Sequence, residues 1–219
     1  MLGWHRQKST SLAPEIITRS LVYFLPACFP LLIALIVIYQ REVAAELHLH
    51  EQRGLSTVQV QADIVRRKFQ AVRTDARYLA EQRILHTFLT TGDKRDELLQ
   101  EYRHFARVNA QYCQIRLLDQ SGNEVIRINA TADSSETVSP SDLQAKGDRD
   151  YFRYAWTATR GAVVFSSFDL NEEFGVVEVP WKPVVRVSTP VFDSNGKRVA
   201  VLVLNFLGQP LLDELRTIS

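Results

Sequence analysis

The feature that most constrains this chain is a run of twenty residues without a charged side chain, at residues 20–39. About 20 consecutive apolar residues are what an α-helix needs to cross the hydrocarbon core of a bilayer. The run contains Pro26 and Pro30, which membrane helices tolerate better than helices in water do. We therefore predict a transmembrane helix over this run. A cleaved signal peptide is the alternative, which the small residues Ala44 and Ala45 leave open.

The charges on the two sides of this run differ. The side that is richer in Lys and Arg stays in the cytoplasm. We therefore predict that residues 1–19 are cytoplasmic and that residues 40–219 lie outside the inner membrane of a bacterium, in the periplasm. The flanking charges are Arg6, Lys8, Glu15 and Arg19 before the run, and Arg41, Glu42, Glu46, Glu51 and Arg53 after it.

A long helix is predicted to follow. Residues 40–90 contain no proline and a single glycine, and apolar side chains recur there at alternating spacings of four and three. This spacing makes one apolar stripe along a helix, and a second helix is predicted at residues 94–110. Two partners fit the stripe: the sheet of the same domain, or a second copy of the chain in a homodimer. The stripe consists of Val58, Ala62, Val65, Phe69, Val72, Ala76 and Leu79.

From Tyr112 onward the pattern changes to β-strands joined by hairpin turns. The segments QIRLL and EVIRIN flank residues 119–123, and PVVRVSTPVF and RVAVLVLNF flank residues 193–197, which contain the turn signal Asn-Gly. Two shorter strands, AVVFSS and VVEV, a helical stretch at residues 141–159 and a helix near residue 210 complete the order. This order predicts an α+β domain on a mainly antiparallel sheet, with its core at residues 111–219.

Both faces of this sheet are expected to be covered. The strand VAVLVLN is apolar at both alternating sets of positions, which is typical of a strand without a solvent face. The long helix can cover one face, and residues 141–159 and 168–182 can cover the other. A face covered by loops is a natural place for a small-ligand cavity.

Composition narrows the function. The net charge of +1 does not indicate nucleic-acid binding. Cys28 and Cys113 form neither a disulfide framework nor a metal-binding spacing, and no cofactor motif is present. His48 and His50 are two residues apart, so they do not share a helix face as a pair of metal ligands would. Because no catalytic constellation stands out, we predict that this chain is not an enzyme.

Four segments, in this order, carry a resemblance to a known family: QIRLLDQSGNEVIRIN, LQAKGDRDYF, VVFSSFDLNEEFG and PVVRVSTPVFDSNGKRVAVLVLNF. Residues 112–212 resemble the extracytoplasmic Cache (PDC) sensor domains of bacterial receptors, above all the first module of double-Cache sensors on histidine kinases and diguanylate cyclases. The resemblance implies a PAS-like antiparallel sheet flanked by the long N-terminal helix, with a ligand under the loops. Such receptors usually continue into a second module, a second span and an output domain, so we expect a fragment, a truncated product or a stand-alone sensor.

The resemblance also implies site residues. In amino-acid-sensing members an arginine followed by aromatics holds the ligand carboxylate, which predicts Arg149 as the clamp and Tyr151 and Phe152 as cavity walls. The acidic residue that holds a ligand amine corresponds best to Asp169. A second acidic position of the family is Asn205 here, which speaks against an α-amino ligand and leaves a plain carboxylate open. From the residues alone, Arg149 fits a surface salt bridge equally well, and the two aromatics fit core packing.

Turn positions predict the register of both hairpins. With Ser-Gly central in the first turn, Arg116 faces Arg127, and with Asn-Gly central in the second, Arg186 faces Asn205. Like charges that face each other destabilise a hairpin, so the arginine pair needs an acidic neighbour or a bound anion. In the PAS-like sheet that the resemblance implies, the first and last strands are adjacent, and the four residues would form one polar row.

Two interpretations of these arginines remain open. In one, Arg186 faces an anionic ligand with Arg149 above it. In the other, the arginines pair with acidic residues and hold loops in place. The acidic candidates are Glu124, Asp169 and Glu178.

Together these features predict the sensor module of a transmembrane signalling receptor, such as one of a two-component system. It would bind a small anionic or amino-acid-like ligand and pass the signal through the anchored helix by favouring one of two arrangements. The alternative is a periplasmic module that docks a protein and binds no small ligand.

Overall fold

The structure is a computed structural model that describes residues 13–218, apart from the side chains of residues 13–21, 25, 27, 45 and 47–53. The chain divides into two compact units, Met1–Val58 and Gln59–Ser219. Several predictions fall outside this description. One is the role of Arg6 and Lys8 in setting the orientation. Another is the prediction that His48 and His50 do not share a helix face.

The first unit contains the N-terminal part of helix α1, which extends over Ala13–Ala80. Among the residues that the structure describes, no helix has both the length and the apolar character that a membrane crossing requires. Residues 20, 21, 25 and 27 of the predicted span have side chains outside the description. The span therefore stays a prediction.

The second unit is built on an antiparallel sheet with the strand order β3-β2-β1-β9-β8-β4, and β5 also pairs with β8. Strands β6 and β7 form a separate hairpin. The first and last long strands, β1 and β9, are neighbours, as the PAS-like arrangement requires. The strands are β1 (Tyr112–Leu118), β2 (Glu124–Ala130), β3 (Ser135–Thr137), β4 (Val164–Phe165), β5 (Asp169–Leu170), β6 (Glu172–Glu173), β7 (Val176–Val177), β8 (Pro183–Phe192) and β9 (Arg198–Leu207).

One face of the sheet packs against helices and forms the main apolar core. Phe69 of α1 lies between Phe165 and Phe206, with ring centroids 5.3 Å and 6.0 Å away. Leu211 of the C-terminal helix belongs to the same core, and Gln61 of α1 donates to the carbonyl of Leu215 at 3.1 Å. The helices are α1, α2 (Arg83–Thr91), α3 (Arg95–Val108), α4 (Asp150–Thr157) and α5 (Gln209–Arg216). All except α4 contribute to this core.

The predicted apolar stripe of α1 is confirmed over its C-terminal part. Val72, Ala76 and Leu79 are buried, and the sheet of the same domain is their partner. Val58 is 62% exposed, whereas Ile64, which is not a stripe residue, is buried. The prediction of a helix as far as residue 90 is wrong, because α1 ends at Ala80 and α2 is a separate helix.

The other face of the sheet is covered by α4 and by the segment between it and β8. Tyr151, Phe152 and Ala155 of α4 pack on Leu118, Val201 and Val203 in a smaller apolar core. The α+β class and the covering of both faces are thus confirmed. The predicted strand VVEV is present over Val176–Val177, but it pairs with Glu172–Glu173 outside the main sheet.

Candidate functional site

A cavity of about 410 Å³ lies on the α4 side of the sheet. Its floor is sheet, its wall is α4, and its rim is the segment from β4 to β6. Four cationic side chains line it together with carboxylates and three aromatic rings, so the lining is both charged and aromatic. The lining residues are Arg116, Lys146, Asp148, Arg149, Asp150, Tyr151, Tyr154, Phe165, Ser166, Ser167, Asp169, Glu172 and Arg186.

The register of the sheet decides which polar side chains lie beneath this cavity. Arg116 faces Arg127, and Arg186 faces Asn205, so both predicted pairs are confirmed. The prediction of one polar row is wrong. Arg116 faces Val203 on β9, two residues from Asn205, so the two pairs lie in neighbouring rows on the same face.

Arg186 is half-buried at the cavity. Its guanidinium lies over the Tyr151 ring at 5.6 Å from the centroid, and Nη2 donates to the Leu170 carbonyl at 3.4 Å. Among the described residues it has no carboxylate within ion-pair distance. Burial lowers the pKa of Arg186 from its ordinary value, and the charge of Arg116 acts in the same direction. A guanidinium in this position is under-neutralised and has free donors toward the cavity.

Two further cations line the cavity from the loop before α4. Lys146 is only 3% exposed, and its Nζ donates to Gln144 Oε1 at 2.9 Å. Burial, then the charge of Arg116, lowers the pKa of Lys146. Arg149 is the residue before α4 and lies 3.4 Å from Glu172. The salt bridge that the sequence allowed for Arg149 thus exists, with Glu172 as its partner.

The six predicted site residues divide into two groups. Arg149, Tyr151, Asp169 and Arg186 line the cavity. Asp169 is exposed at the rim, where its Oδ1 accepts from the Leu170 amide at 2.7 Å. Phe152 does not line the cavity and stacks on Trp156 at 5.8 Å in the smaller core.

Asn205, the sixth predicted residue, also lies outside the cavity. It is fully buried, and its Nδ2 donates to Gln114 Oε1 at 2.6 Å and to Asn171 Oδ1 at 3.0 Å. Its Oδ1 has no hydrogen-bond partner among the described residues. Asn205 therefore connects the sheet to the segment that precedes the β6–β7 hairpin.

Beside the cavity, two arginines and two glutamates alternate in a ring. Glu124 lies 2.8 Å from Arg116 and 3.0 Å from Arg127. Glu173 of the β6–β7 hairpin lies 3.2 Å from Arg127 and also pairs with Arg116. We call these four residues the Arg–Glu ring. It supplies the acidic neighbour that the facing arginines were predicted to need, and Glu124 is one of the acids named for it.

The ring changes the acidity of Glu173. Burial alone would raise the pKa of this carboxyl group. The charge of Arg116, a hydrogen bond from Gln114 and the charge of Arg127 outweigh burial and lower the pKa to about 2. Glu173 is therefore an ion at neutral pH.

Comparison with known proteins agrees with this architecture. A family described as bacterial histidine kinase, sensor domain, matches residues 52–216, which is most of the chain. The chain belongs to this family of histidine kinase sensor domains. No curated protein matches the chain.

Solved structures share the fold of this sensor domain. A domain ascribed to a sensory box/GGDEF family protein from Vibrio parahaemolyticus is 24% identical, with a TM-score of 0.68 over 75% of this chain. An extracellular domain ascribed to a histidine kinase, vpHK1S-Z8, is also 24% identical, with a TM-score of 0.67 over 75% of this chain. This chain covers 62% and 59% of those two structures.

A more distant structure has a bound ligand. The ligand-binding domain of the Campylobacter jejuni chemoreceptor Tlp3 in complex with L-norvaline is 13% identical, with a TM-score of 0.56 over 73% of this chain and 59% of that one. At this identity the likeness concerns the fold alone.

Neither Lys146 nor Glu173 of this sensor domain was predicted as a site residue from the sequence. Lys146 lies two residues before the acidic-basic run 148–150 and carries no local signal of burial. Glu173 follows another glutamate, a pattern typical of solvated loops. The signal that could have indicated a buried acid was the facing arginine pair, which required a counter-charge.

Proposed function

We propose that this chain is the extracytoplasmic sensor module of a membrane-anchored signalling receptor and that its cavity binds a small carboxylate. The observation that carries the proposal is Arg186. Its guanidinium is half-buried, has no carboxylate partner among the described residues and lines the cavity. Taking a charge out of water without a counter-charge is costly, and an anionic ligand would offset that cost.

The other cavity residues divide the recognition between them. Lys146 and Arg149 would add donors to the ligand's acidic group. The Tyr151 ring, which contacts the Arg186 guanidinium, would form one wall of the cavity. Asp169 at the rim would meet a ligand amine if there is one. Phe152 and Asn205 would not contact the ligand. Phe152 would support the site through the smaller apolar core, and Asn205 would do so through its hydrogen bond to Gln114. The Tlp3 domain, which shares this fold, binds L-norvaline, and a ligand as small as an amino acid is consistent with a cavity of about 410 Å³.

Membrane anchoring is part of the same proposal. It rests on the uncharged run at residues 20–39 and on the flanking charges, with the N-terminus in the cytoplasm. Ligand binding would act through different affinities for two arrangements of the domain, and α1 would carry the change toward the membrane.

The test is a thermal-shift screen of the purified full chain in detergent against organic acids, amino acids and amines. A compound that binds the folded state raises the Tm with concentration above its Kd. We expect one or more carboxylates to do so and Arg186→Ala to abolish the shift. Arg198→Ala is the matched control. Arg198 is also a partly buried sheet arginine, lies 5.3 Å over the Trp156 ring and donates to the Ala158 carbonyl at 2.7 Å, but it does not line the cavity.

A protein-docking module is the second candidate, and one observation favours it. The segment around the β6–β7 hairpin exposes large apolar side chains, which is unusual unless a partner covers them. A screen without any hit would favour this candidate over the carboxylate sensor, whereas a shift that survives Arg186→Ala would mean that Arg186 does not hold the carboxylate. The exposed residues are Phe168, Phe174, Val176, Val179 and Trp181, at 51% to 84% exposure.

A further inference from the structure

The carboxylate of Glu173 is bound in the way that proteins bind a carboxylate ligand. Oε1 accepts from Arg116 and from Gln114 at 2.8 Å, and Oε2 accepts from Arg127 at 3.2 Å and from Gln144 at 2.6 Å. From these four residues each oxygen thus receives one guanidinium and one amide donor, and Oε1 also accepts from Asn171 Nδ2 at 3.4 Å. Charge-assisted bonds of this kind are about twice as strong as neutral ones. We call the four donor residues the carboxylate cage.

The cage belongs to the sheet and the loop before α4, whereas Glu173 belongs to the β6–β7 hairpin. Gln114 and Arg116 are on β1, and Arg127 is on β2. The cage is therefore built without the hairpin and receives the Glu173 side chain as a separate element.

The hairpin has few other attachments. Its strands have two residues each, and none of its residues belongs to either apolar core. Phe174 and Val176 are 67% and 68% exposed. Besides Glu173, the hairpin is held by the 3.4 Å pair of Glu172 with Arg149 and by the Phe174 amide, which donates to Gln144 Oε1 at 3.1 Å. Without apolar burial, these polar contacts fix its position.

We propose that Gln114, Arg116, Arg127 and Gln144 form a second anion site, specific for a carboxylate, which the chain's own Glu173 occupies and which thereby holds the β6–β7 hairpin on the sheet. The cage is distinct from the ligand cavity, since Arg127 does not line the cavity. It does not depend on the proposed function, although Arg116 lines both. Loss of Glu173 would leave three charges in the Arg–Glu ring, two positive and one negative.

The first test is chemical rescue. In the full chain, Glu173→Ala empties the cage and leaves room for a free carboxylate. We expect this variant to melt at a lower temperature than the wild type, and sodium acetate to restore the Tm saturably, beyond the effect of sodium chloride at equal ionic strength. Glu173→Gln, which fills the cage, should show no such restoration.

Two second-site variants assign the acetate to the cage. Arg127→Gln added to Glu173→Ala keeps the charges balanced, because Arg116 still pairs with Glu124, and it should abolish the rescue. Arg186→Ala added to Glu173→Ala should leave the rescue intact even if it removes ligand binding in the cavity. The cavity proposal and the cage proposal can thus fail independently, because Arg186→Ala tests only the cavity and Arg127→Gln tests only the cage. No acetate-specific rise, or a rise that persists without Arg127, would overturn the cage.

A second measurement serves if Glu173→Ala does not fold. In Glu173→Gln, the amide donor faces the donors of the cage, so the hairpin should loosen. We expect hydrogen exchange in residues 171–178 to become about tenfold faster than in the wild type, with no change at the turn of residues 193–197. Unchanged exchange in the hairpin would contradict the role of Glu173 as its anchor.

Discussion

At the scale of single residues, the same side chain on one sheet has different roles because its partners differ. Arg116 and Arg127 share two glutamates and are neutralised. Arg198 lies over Trp156 at the edge of α4. Arg186 alone among these four combines partial burial, an aromatic partner and a place in the lining of the cavity. An arginine on this sheet is therefore not by itself evidence of an anion site. What distinguishes Arg186 from Arg116 and Arg127 is that no carboxylate of the described residues pairs with its charge.

Phe69 provides a residue-level test of the main core. It is partly buried and contacts Phe165 and Phe206 across the interface of α1 and the sheet. Phe69→Ala should lower the free energy of unfolding by about 3 kcal/mol, at the low end for a phenylalanine because the ring is not fully buried. Chemical denaturation of the full chain would measure this.

Tyr78 on the same helix is the control for that change. It is 58% exposed, so Tyr78→Ala should alter the free energy of unfolding by no more than about 0.5 kcal/mol. Equal effects of the two substitutions would mean that the packing of α1 on the sheet is not what stabilises this face.

At the scale of elements, two hairpins use the same turn. In each, an aspartate caps the turn through Oδ1: Asp119 accepts from the amides of residues 121 and 123, and Asp193 accepts from those of residues 195 and 197, all at 2.8–2.9 Å. Gly122 and Gly196 occupy the same position, both with φ of 79°. The turns differ in their surroundings, because only the first one contacts the loop that carries Lys146 and Arg149.

That contact predicts different costs for the same substitution. Gly196→Ala should cost about 1 kcal/mol, since a side chain there meets nothing and only the left-handed backbone is strained. At Gly122 a Cβ atom would also overlap the backbone of Gly147, so Gly122→Ala should cost about 2 kcal/mol more. Denaturation curves of both variants measure the difference.

The same pair of variants links the turn to the site. The Lys146 amide donates to the Gly122 carbonyl at 2.7 Å, so a shift at this contact displaces the cavity wall. Gly122→Ala should weaken the carboxylate-dependent thermal shift, and Gly196→Ala should not. Indistinguishable variants would show that the close approach of the loop is not required.

At the scale of the whole molecule, the two faces of the sheet have different chemistry. The face toward α1, α2, α3 and α5 is an apolar core, which provides stability through burial. The face toward α4 holds a small apolar core, the Arg–Glu ring and the cavity. Polar groups are thus concentrated on the side that loops cover, where the buried charges of the ring offset one another by pairing.

The proposed topology is tested by reporter fusions after Ser219. A reporter that is active only in the periplasm should be active there, and one that is active only in the cytoplasm should be inactive. Replacing Arg6, Lys8 and Arg19 by acidic residues should weaken this preference, since the positive cluster is its main cause. Cytoplasmic activity of the unaltered fusion would overturn the orientation.

Whereas the β1–β9 adjacency was an expectation from the resemblance, the sequence by itself determined the fold class, the pairing of strands within each hairpin and both hairpin registers. These depend on local signals: periodicity distinguishes helix from strand, and turn residues set which side chains face each other. The pair Arg186–Asn205 was therefore predictable from the Asn-Gly turn alone. The resemblance added three cavity-lining residues, Arg149, Tyr151 and Asp169, whereas Arg186 followed from the turn register.

Only the tertiary structure decided which charges meet. Glu173 lies 57 residues from Arg116 in the sequence, and nothing local separates it from its half-buried neighbour Glu172. The need for a counter-charge was predictable, but several acids could have met it, and the hairpin's path over the sheet selected Glu173. Likewise Asn205 was placed by register on the correct face, yet Gln114 and Asn171 enclose it and keep it out of the cavity. Long-range packing selects among locally equivalent side chains because burial and charge pairing depend on which segments meet.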